Sequence, residues 1–473
     1  LGLIDEIKSM IYEKRDTYQT LSETVWDFAE LHFGEIQSAE LLSKALEDEG
    51  FAVEHDVAGL KTGFIGSYGT GKPVIAFLGE FDALAGLSQK RNKTVHDPIV
   101  PNGNGHGCGH NLLGVGSLAA AFAAKEYMTK HQLKGTVRYY GCPAEESGNG
   151  KAYMAREGCF KDVDAAFSWH PDSKNAVQHL SSNAVIEARF TFKGVSAHAA
   201  ALPELGRSAL DALELMNVGV NYLREHMADK ARVHYAVTNT GGVSPNVVQA
   251  IAEERFLVRS PKPNEVKELF KRVVNVAKGA ALMTDTEMSY RIEGGCCNLI
   301  PNTALHQVMA GYMEEIGFPE PSKKDEAFIR DIYDSLGDNE KNFAMKFLTN
   351  DEREKIAKIP IADWIIPCPD QETFMEGSTD VSDVSWNVPT AQCFTSTWAF
   401  ATVPHTWQVV AQGTQDFALN AALFAGEAMA CTALKAVEDP ELLAAATREF
   451  KERLDGETYE CLIPPSVTPS SLL

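Results

Sequence analysis

Pro73-Val-Ile-Ala-Phe-Leu78-Gly-Glu80-Phe-Asp82 is the stretch on which the fold turns. Residues 73–78 form a nearly continuous apolar run, the pattern of a strand covered on both faces, and two carboxylates follow at once. Upstream, a helical period covers the first thirty residues or so. A second helix pattern, Ser38–Glu49, stops at Gly50, and strand patterns follow at Phe51–His55 and Thr62–Ser67. Downstream come helix Asn111–His131, strand Gly135–Gly141, a short helix after Asn149 and strand Asp164–Trp169. This alternation predicts an α/β domain with a largely parallel sheet flanked by helices.

From about Ser182 the texture changes. Strand Val185–Phe192, helix Arg207–His226, strands Val233–Thr238 and Glu253–Arg259, helix Asn264–Met283 and strand Thr286–Ile292 make a separate α/β unit. The outer pattern resumes with helix Thr303–Ile316, so this unit reads as an insertion. The expected boundaries are 1–181 for the first part of the outer domain, 182–297 for the insertion and 298–473 for the second part. Segment Pro319–Lys358 is charged and reads as helical and solvated. Strand Thr390–Phe394 and helix Gln415–Val437 close the outer domain, and the Pro/Ser-rich tail Pro464–Leu473 is expected to be disordered.

The 473 residues carry 43 Lys plus Arg against 65 Asp plus Glu, a formal charge of −22, which argues against a nucleic-acid partner. A hydrophobic content of 44% is enough for real cores and excludes a disordered chain. The apolar stretch Phe417–Val437 is interrupted by Asn420, Glu427 and Lys435, so it reads as a buried helix and no membrane is expected. Nine scattered cysteines do not form a secreted disulfide framework. Leu1–Tyr12 lacks the regions of a secretory leader, so the expected location is the cytoplasm.

Donor residues gather at loops and strand ends. In His106-Gly-Cys108-Gly-His110, a cysteine and a histidine two apart can point at one ion, with His106 a further candidate. Taken alone, the stretch could equally be a Gly-rich turn with a buried thiol. Cys142-Pro-Ala-Glu145-Glu146 sets two carboxylates at a strand's carboxyl end, where open α/β sheets place their sites. Adjacent acids usually mark a solvated surface; at such a loop, one can hold a metal while the other serves as base. His170 ends the next strand, Asp82 could orient a ligating histidine or cap a helix, and His405 precedes the final helix.

Glu80-Phe-Asp82-Ala-Leu, Gly107-Cys-Gly-His110, Pro143-Ala-Glu145-Glu146, His170, Gly194-Val-Ser-Ala-His198-Ala-Ala and Pro404-His405 together resemble the aminoacylase/carboxypeptidase-G type of co-catalytic metallopeptidase, in its amidohydrolase branch. The resemblance covers nearly the whole chain. It implies a catalytic domain holding two divalent ions, Mn or Zn, and an inserted ferredoxin-like lid that makes a dimer. By the same resemblance, Cys108, His110, Glu146, His170 and His405 are metal ligands, Glu145 is the general base and Asp82 the carboxylate behind a ligand. His198 is the oxyanion donor reaching across the dimer, and Asn246, Arg259 and, less strongly, Arg207 contact substrate; an Arg fork suits a carboxylate. The wider family has histidine at the position of Glu80 and aspartate near that of His110, which leaves the bridging ligand open.

The implied activity is hydrolysis of the amide bond of an N-acyl or N-aroyl amino acid, with p-aminobenzoyl-glutamate as expected substrate. An indoleacetyl-aspartate or hippurate type of hydrolase and a dipeptidase are alternatives within the class. A non-catalytic metal-binding protein paired with a homologous A subunit is the alternative outside it. Retention of both Glu145 and Glu146 with three histidines favours catalysis. Asp380 and Asp383 are expected near the site, while Cys296 and Cys297 have no assigned role.

Overall fold

The computed structural model describes residues 2–471, and the chain divides into two compact units. The first comprises Leu1–Leu180, Ile300–Thr373 and Val384–Thr458. Its eight-stranded sheet runs in the order Ala52–His55, Phe64–Thr70, Gly135–Cys142, Val74–Glu80, Ala165–Asp172, Thr390–Ser396, Asn175–Val177 and Ile365–Ile366. The four central strands, from Gly135–Cys142 to Thr390–Ser396, are mutually parallel. They are buried along nearly their whole length, as the apolar run at 73–78 requires.

Two long helices, His110–Lys130 and Asp416–Glu438, pack together in the core of this unit. Small residues allow the close approach. A Cβ on Gly426 would lie 3.0 Å from the Gly116 carbonyl oxygen, and one on Gly116 would lie 2.7 Å from Trp169 Nε1. Hydrogen bonds lock the first helix to the sheet: Ser117 Oγ to the Leu78 carbonyl (2.6 Å), Tyr139 Oη to Gly114 (3.0 Å) and Trp169 Nε1 to Leu113 (3.0 Å). Among the described residues, Asp416–Glu438 is the one helix long and apolar enough to cross a membrane, and 94% of its most apolar window is buried inside the protein.

The second unit comprises Ser181–Leu299, Phe374–Asp383 and Tyr459–Leu473. Its antiparallel sheet has the order Glu287–Cys296, Ala184–Lys193, Ile251–Ser260, Arg232–Asn239, and helices Ala209–Leu223 and Pro263–Thr284 pack on it. The βαββαβ succession is ferredoxin-like. Strand burial alternates because the helices cover one face. On the other face, Glu293 pairs with Arg189 (2.8 Å), Arg255 (3.1 Å) and Arg291 (2.7 Å).

Several expectations need correction. The first helical stretch is two helices, Leu3–Glu13 and Arg15–Phe28. Strand Ala165–Asp172 continues past Trp169, so His170 lies within it, opposite Phe394. Helix Pro440–Leu454 was not anticipated. The tail is ordered through Ser471, with Val467 and Pro469 buried; Leu472 and Leu473 lie outside the described residues.

Glu427 is buried in helix Asp416–Glu438, and burial lifts its carboxyl from 4.5 to about 7, partly offset by Lys8. The folded state therefore keeps this proton at pH values where the unfolded chain has lost it. Its contribution to stability falls as pH rises from 4.5 through 7. Glu427→Gln should raise stability by up to about 3 kcal/mol at pH 8 and by much less at pH 5. Urea unfolding of both proteins at the two pH values checks this; an equal gain at both would contradict it.

Candidate active site

The four parallel strands of the first unit point their carboxyl ends to one edge, and the donor residues gather there. Helix His110–Lys130 begins at the same edge behind Gly109, whose φ of 77° favours glycine and where a Cβ would meet Pro171 at 3.0 Å. The sharp turn puts Cys108 and His110 side by side. Asp82, just past strand Val74–Glu80, accepts from His110 Nδ1 at 2.8 Å and from the Glu146 backbone N–H at 2.9 Å. It is no helix cap. With Nδ1 held by Asp82, the Nε2 edge of His110 is turned towards the remaining donors.

Glu35 holds the other side of the carboxylate loop, accepting from the Ala144 N–H at 2.9 Å and from Thr62 Oγ1 at 3.0 Å. Ala144 sits at φ 58°, so the loop turns sharply just before Glu145 and Glu146. Burial, and then Asp82, pushes the Glu35 carboxyl up to about 8.

Around His110 the distances are short. Cys108 Sγ is 3.5 Å from His170 Nε2, while His170 Nδ1 donates to the Pro171 carbonyl at 2.7 Å. His110 Nε2 lies 3.2 Å from Glu80 Oε2 and 4.0 Å from Glu146 Oε1, and His405 Nε2 is 3.4 Å from Glu146 Oε2. His405 is set by a backbone bond to Gly107 (2.8 Å) at φ 62°. Three sets have donor atoms within 4.8 Å of one another: Cys108, His110 and His170; Cys108, Glu146 and His405; Glu80, His110 and Glu145. Cys108 belongs to the first two.

Glu80 Oε2, His110 Nε2 and Glu146 Oε1 are buried without a hydrogen-bond partner. Buried polar atoms that converge without a hydrogen bond of good geometry are what a cation satisfies, and the thiol, imidazole and carboxylate set suits a divalent ion. Burial, then Glu146, pushes the Cys108 thiol up. A bound cation would reverse that shift. Burial would raise the Glu146 carboxyl, but His405 and His110 outweigh it and hold it below the usual range.

Two residues that pattern reading passed over support this edge. Besides Glu35, Lys151 is fully buried with its Nζ 2.6 Å from Glu80 Oε1. His106 does not join the cluster: its Nε2 faces the Val25 carbonyl at 3.0 Å, and burial lowers it to about 4.

His198, Asn246, Arg207 and Arg259 belong to the second unit. His198 is exposed, and its Nδ1 accepts from the Ala200 and Ala201 N–H groups (3.3 and 3.1 Å), which leaves the proton on Nε2. Asn246 is its neighbour, since the Ala199 N–H donates to the Asn246 carbonyl at 2.9 Å. Arg259 lies near the far end of strand Ile251–Ser260, roughly 27 Å along it from Ile251. Arg207 is engaged locally, with Asp285 (2.8 Å) and the carbonyls of Glu204 and Gly206. Asp383 also lies in the second unit, accepting from Tyr459 Oη (2.8 Å) and the Cys297 N–H (3.2 Å).

Removing one partner of a buried pair strands the other charge. Lys151→Met should destabilise the metal-free protein by about 3 kcal/mol, and adding Glu80→Gln should restore most of the loss. Urea unfolding of the single and double variants decides it, and a double variant no better than the single would contradict the pairing.

The profile of peptidase family M20/M25/M40 matches residues 76–471. The B subunit of p-aminobenzoyl-glutamate hydrolase of Escherichia coli (strain K12) is 43% identical over 473 residues, 98% of each chain. Xaa-Arg dipeptidase of Mus musculus is 28% identical over 460 residues, 94% of this chain and 92% of the relative. Among solved structures, the YXEP protein of Bacillus subtilis, a dinuclear metal binding peptidase from the M20 family, has a TM-score of 0.52 at 17% identity. The match covers 89% of this chain and 99% of that one, a likeness of fold. The profile match and the 43% identity agree with the motifs: the chain belongs to peptidase family M20/M25/M40.

Proposed function

We propose that this chain is a metal-dependent amidohydrolase that cleaves p-aminobenzoyl-glutamate to p-aminobenzoate and glutamate. The observation that carries the reading is the convergence of Cys108, His110, Glu146, His170 and His405, with Glu145 beside them, on a chain 43% identical to a p-aminobenzoyl-glutamate hydrolase chain. Cys108, His110, Glu146, His170 and His405 would hold two divalent ions, manganese or zinc. Such ions supply Lewis acidity that polarises the amide carbonyl and makes a water acidic enough to attack it.

The chain's own groups do the rest. Glu145 takes a proton from the attacking water and delivers it to the leaving nitrogen, so that the amine departs neutral. Asp82 fixes the tautomer of His110. His198, with its proton on Nε2, is suited to donate to the oxyanion. Arg259 supplies the fork for the substrate's carboxylate, Asn246, beside His198, is a separate substrate contact, and Arg207, committed to Asp285, contributes least. We assign 182–297 the role of lid in a cytoplasmic homodimer, in which His198 serves the partner's site. Nine free cysteines fit a reducing compartment.

The Escherichia coli relative is one of two kinds of chain in its hydrolase, which favours one second reading: a protein that acts only with a homologous A subunit. Activity of the chain alone decides between them. With manganese or zinc, the purified protein should hydrolyse p-aminobenzoyl-glutamate. Glu145→Gln should lower kcat by about 10²–10⁴-fold while the metal content by mass spectrometry is unchanged. A wild type that holds two ions yet cleaves no N-acyl amino acid sinks the single-chain reading. His198→Ala should cut turnover and spare metal content; unaltered turnover removes His198 from the site.

A further inference from the structure

Segment 319–376 has no part in the chemistry above. It folds as helices Lys323–Ser335, Asp338–Met345 and Asn350–Lys358, followed by strands Ile365–Ile366 and Thr373–Met375. Leu336, just past the first of these helices, and Ile356 in the third pack with Phe400 and Ala401, and the Phe400 N–H donates to the Pro360 carbonyl at 2.7 Å. The helices are thus fastened to the loop 400–404, whose next residue is His405. A cavity of about 990 Å³ lies between them, with Phe343, Phe347, Trp364, Phe400 and Val403 among its lining residues. Asp172, two residues beyond His170 on its strand, lines the same cavity.

Four of the large apolar side chains that this protein leaves exposed meet in that cavity: Phe343 (62%), Phe347 (74%), Ile366 (39%) and Val403 (44%). Phe343 and Phe347 sit edge to face at 5.4 Å, an aromatic corner with the Lys346 ammonium 5.8 Å from the Phe343 ring centroid and most of the Phe347 ring exposed. A solvated helical segment has no need of such a corner, and a contiguous apolar patch marks a binding surface. The size is that of a small-molecule site, and aromatic walls suit a planar ring.

We infer that this cavity is the acyl-group subsite, taking the aromatic ring of an N-aroyl amino acid whose amide is presented to the cluster beyond His405. This rests on the amidohydrolase reading and deepens it by naming the part of the substrate that the helical segment selects. Continuity with the loop that carries His405 favours substrate over a protein partner as occupant. An acetyl group would leave the aromatic corner wet.

The test is a specificity ratio. For wild type, Phe347→Ala and Phe343→Ala/Phe347→Ala, kcat/KM is measured on p-aminobenzoyl-glutamate and on N-acetyl-glutamate, and p-aminobenzoate binding is followed by equilibrium dialysis. Both side chains are exposed, so folding is not at risk. The ratio of aroyl to acetyl kcat/KM should fall about fivefold to tenfold in the single variant and further in the double, with weaker p-aminobenzoate binding. An unchanged ratio overturns the subsite, and an unchanged ratio with an altered oligomeric state on size exclusion makes the patch an interface between copies instead. If the wild type cleaves neither substrate but p-aminobenzoate binding still weakens in the variants, the pocket stands and the amidohydrolase reading is what has failed.

Discussion

Asp82 accepts two hydrogen bonds, from His110 Nδ1 and from the Glu146 backbone, and three pieces of chain depend on it. Strand Val74–Glu80 delivers the carboxylate, helix His110–Lys130 delivers the imidazole and the loop after Gly135–Cys142 delivers the amide. One buried anion sets the tautomer of a metal-type donor and the position of the loop bearing Glu145 and Glu146. Glu35 repeats the device from the other side through Ala144. The loop is therefore clamped at alternate residues by two carboxylates, which explains how an acute turn with a left-handed alanine persists.

Such an arrangement concentrates negative charge. Asp82, Glu80, Glu145 and Glu146 crowd one sheet edge of a chain whose net charge is already −22, while burial keeps the Glu35 carboxyl and the Cys108 thiol protonated beside them. Lys151 and the histidines offset part of this, and the unpartnered oxygens of Glu80 and Glu146 mark where it stays unbalanced. Buried carboxylates remain ionised only beside cations. The local imbalance is thus a physical demand for divalent metal, one that the overall acidity alone could not reveal.

Much of this was legible beforehand because period and chemistry coincided. The run 73–78 announced a doubly covered strand, and Gly107-Cys-Gly-His110 announced donors at a helix start. Glu35 and Lys151 were not legible: each is a lone charged residue whose burial is decided by segments far away in the chain. Helix Pro440–Leu454 carried a signal that went unread, an Asp439 cap before Pro440. The ordered tail escaped because its Pro and Ser residues look like a linker, while Val467 and Pro469 are in fact buried. The role of 319–376 was hidden for a different reason. Its charge described the outer faces of its helices, and only the fold brings Phe343 and Phe347 to the loop before His405.

The crossing of helices His110–Lys130 and Asp416–Glu438 has a mechanical consequence. Gly116 and Gly426 meet with almost no side-chain cushion, and six residues of helix, about 9 Å, separate that contact from His110. A helix of this length behaves as a rod, so a methyl group inserted at the crossing would be felt at the imidazole as a displacement rather than absorbed on the way. Misplacement of about 1 Å can cost roughly a hundredfold in rate. The tolerances of the site are therefore set deep in an apolar interface that never touches substrate, and substitutions there would act as machining errors in the part that aligns His110.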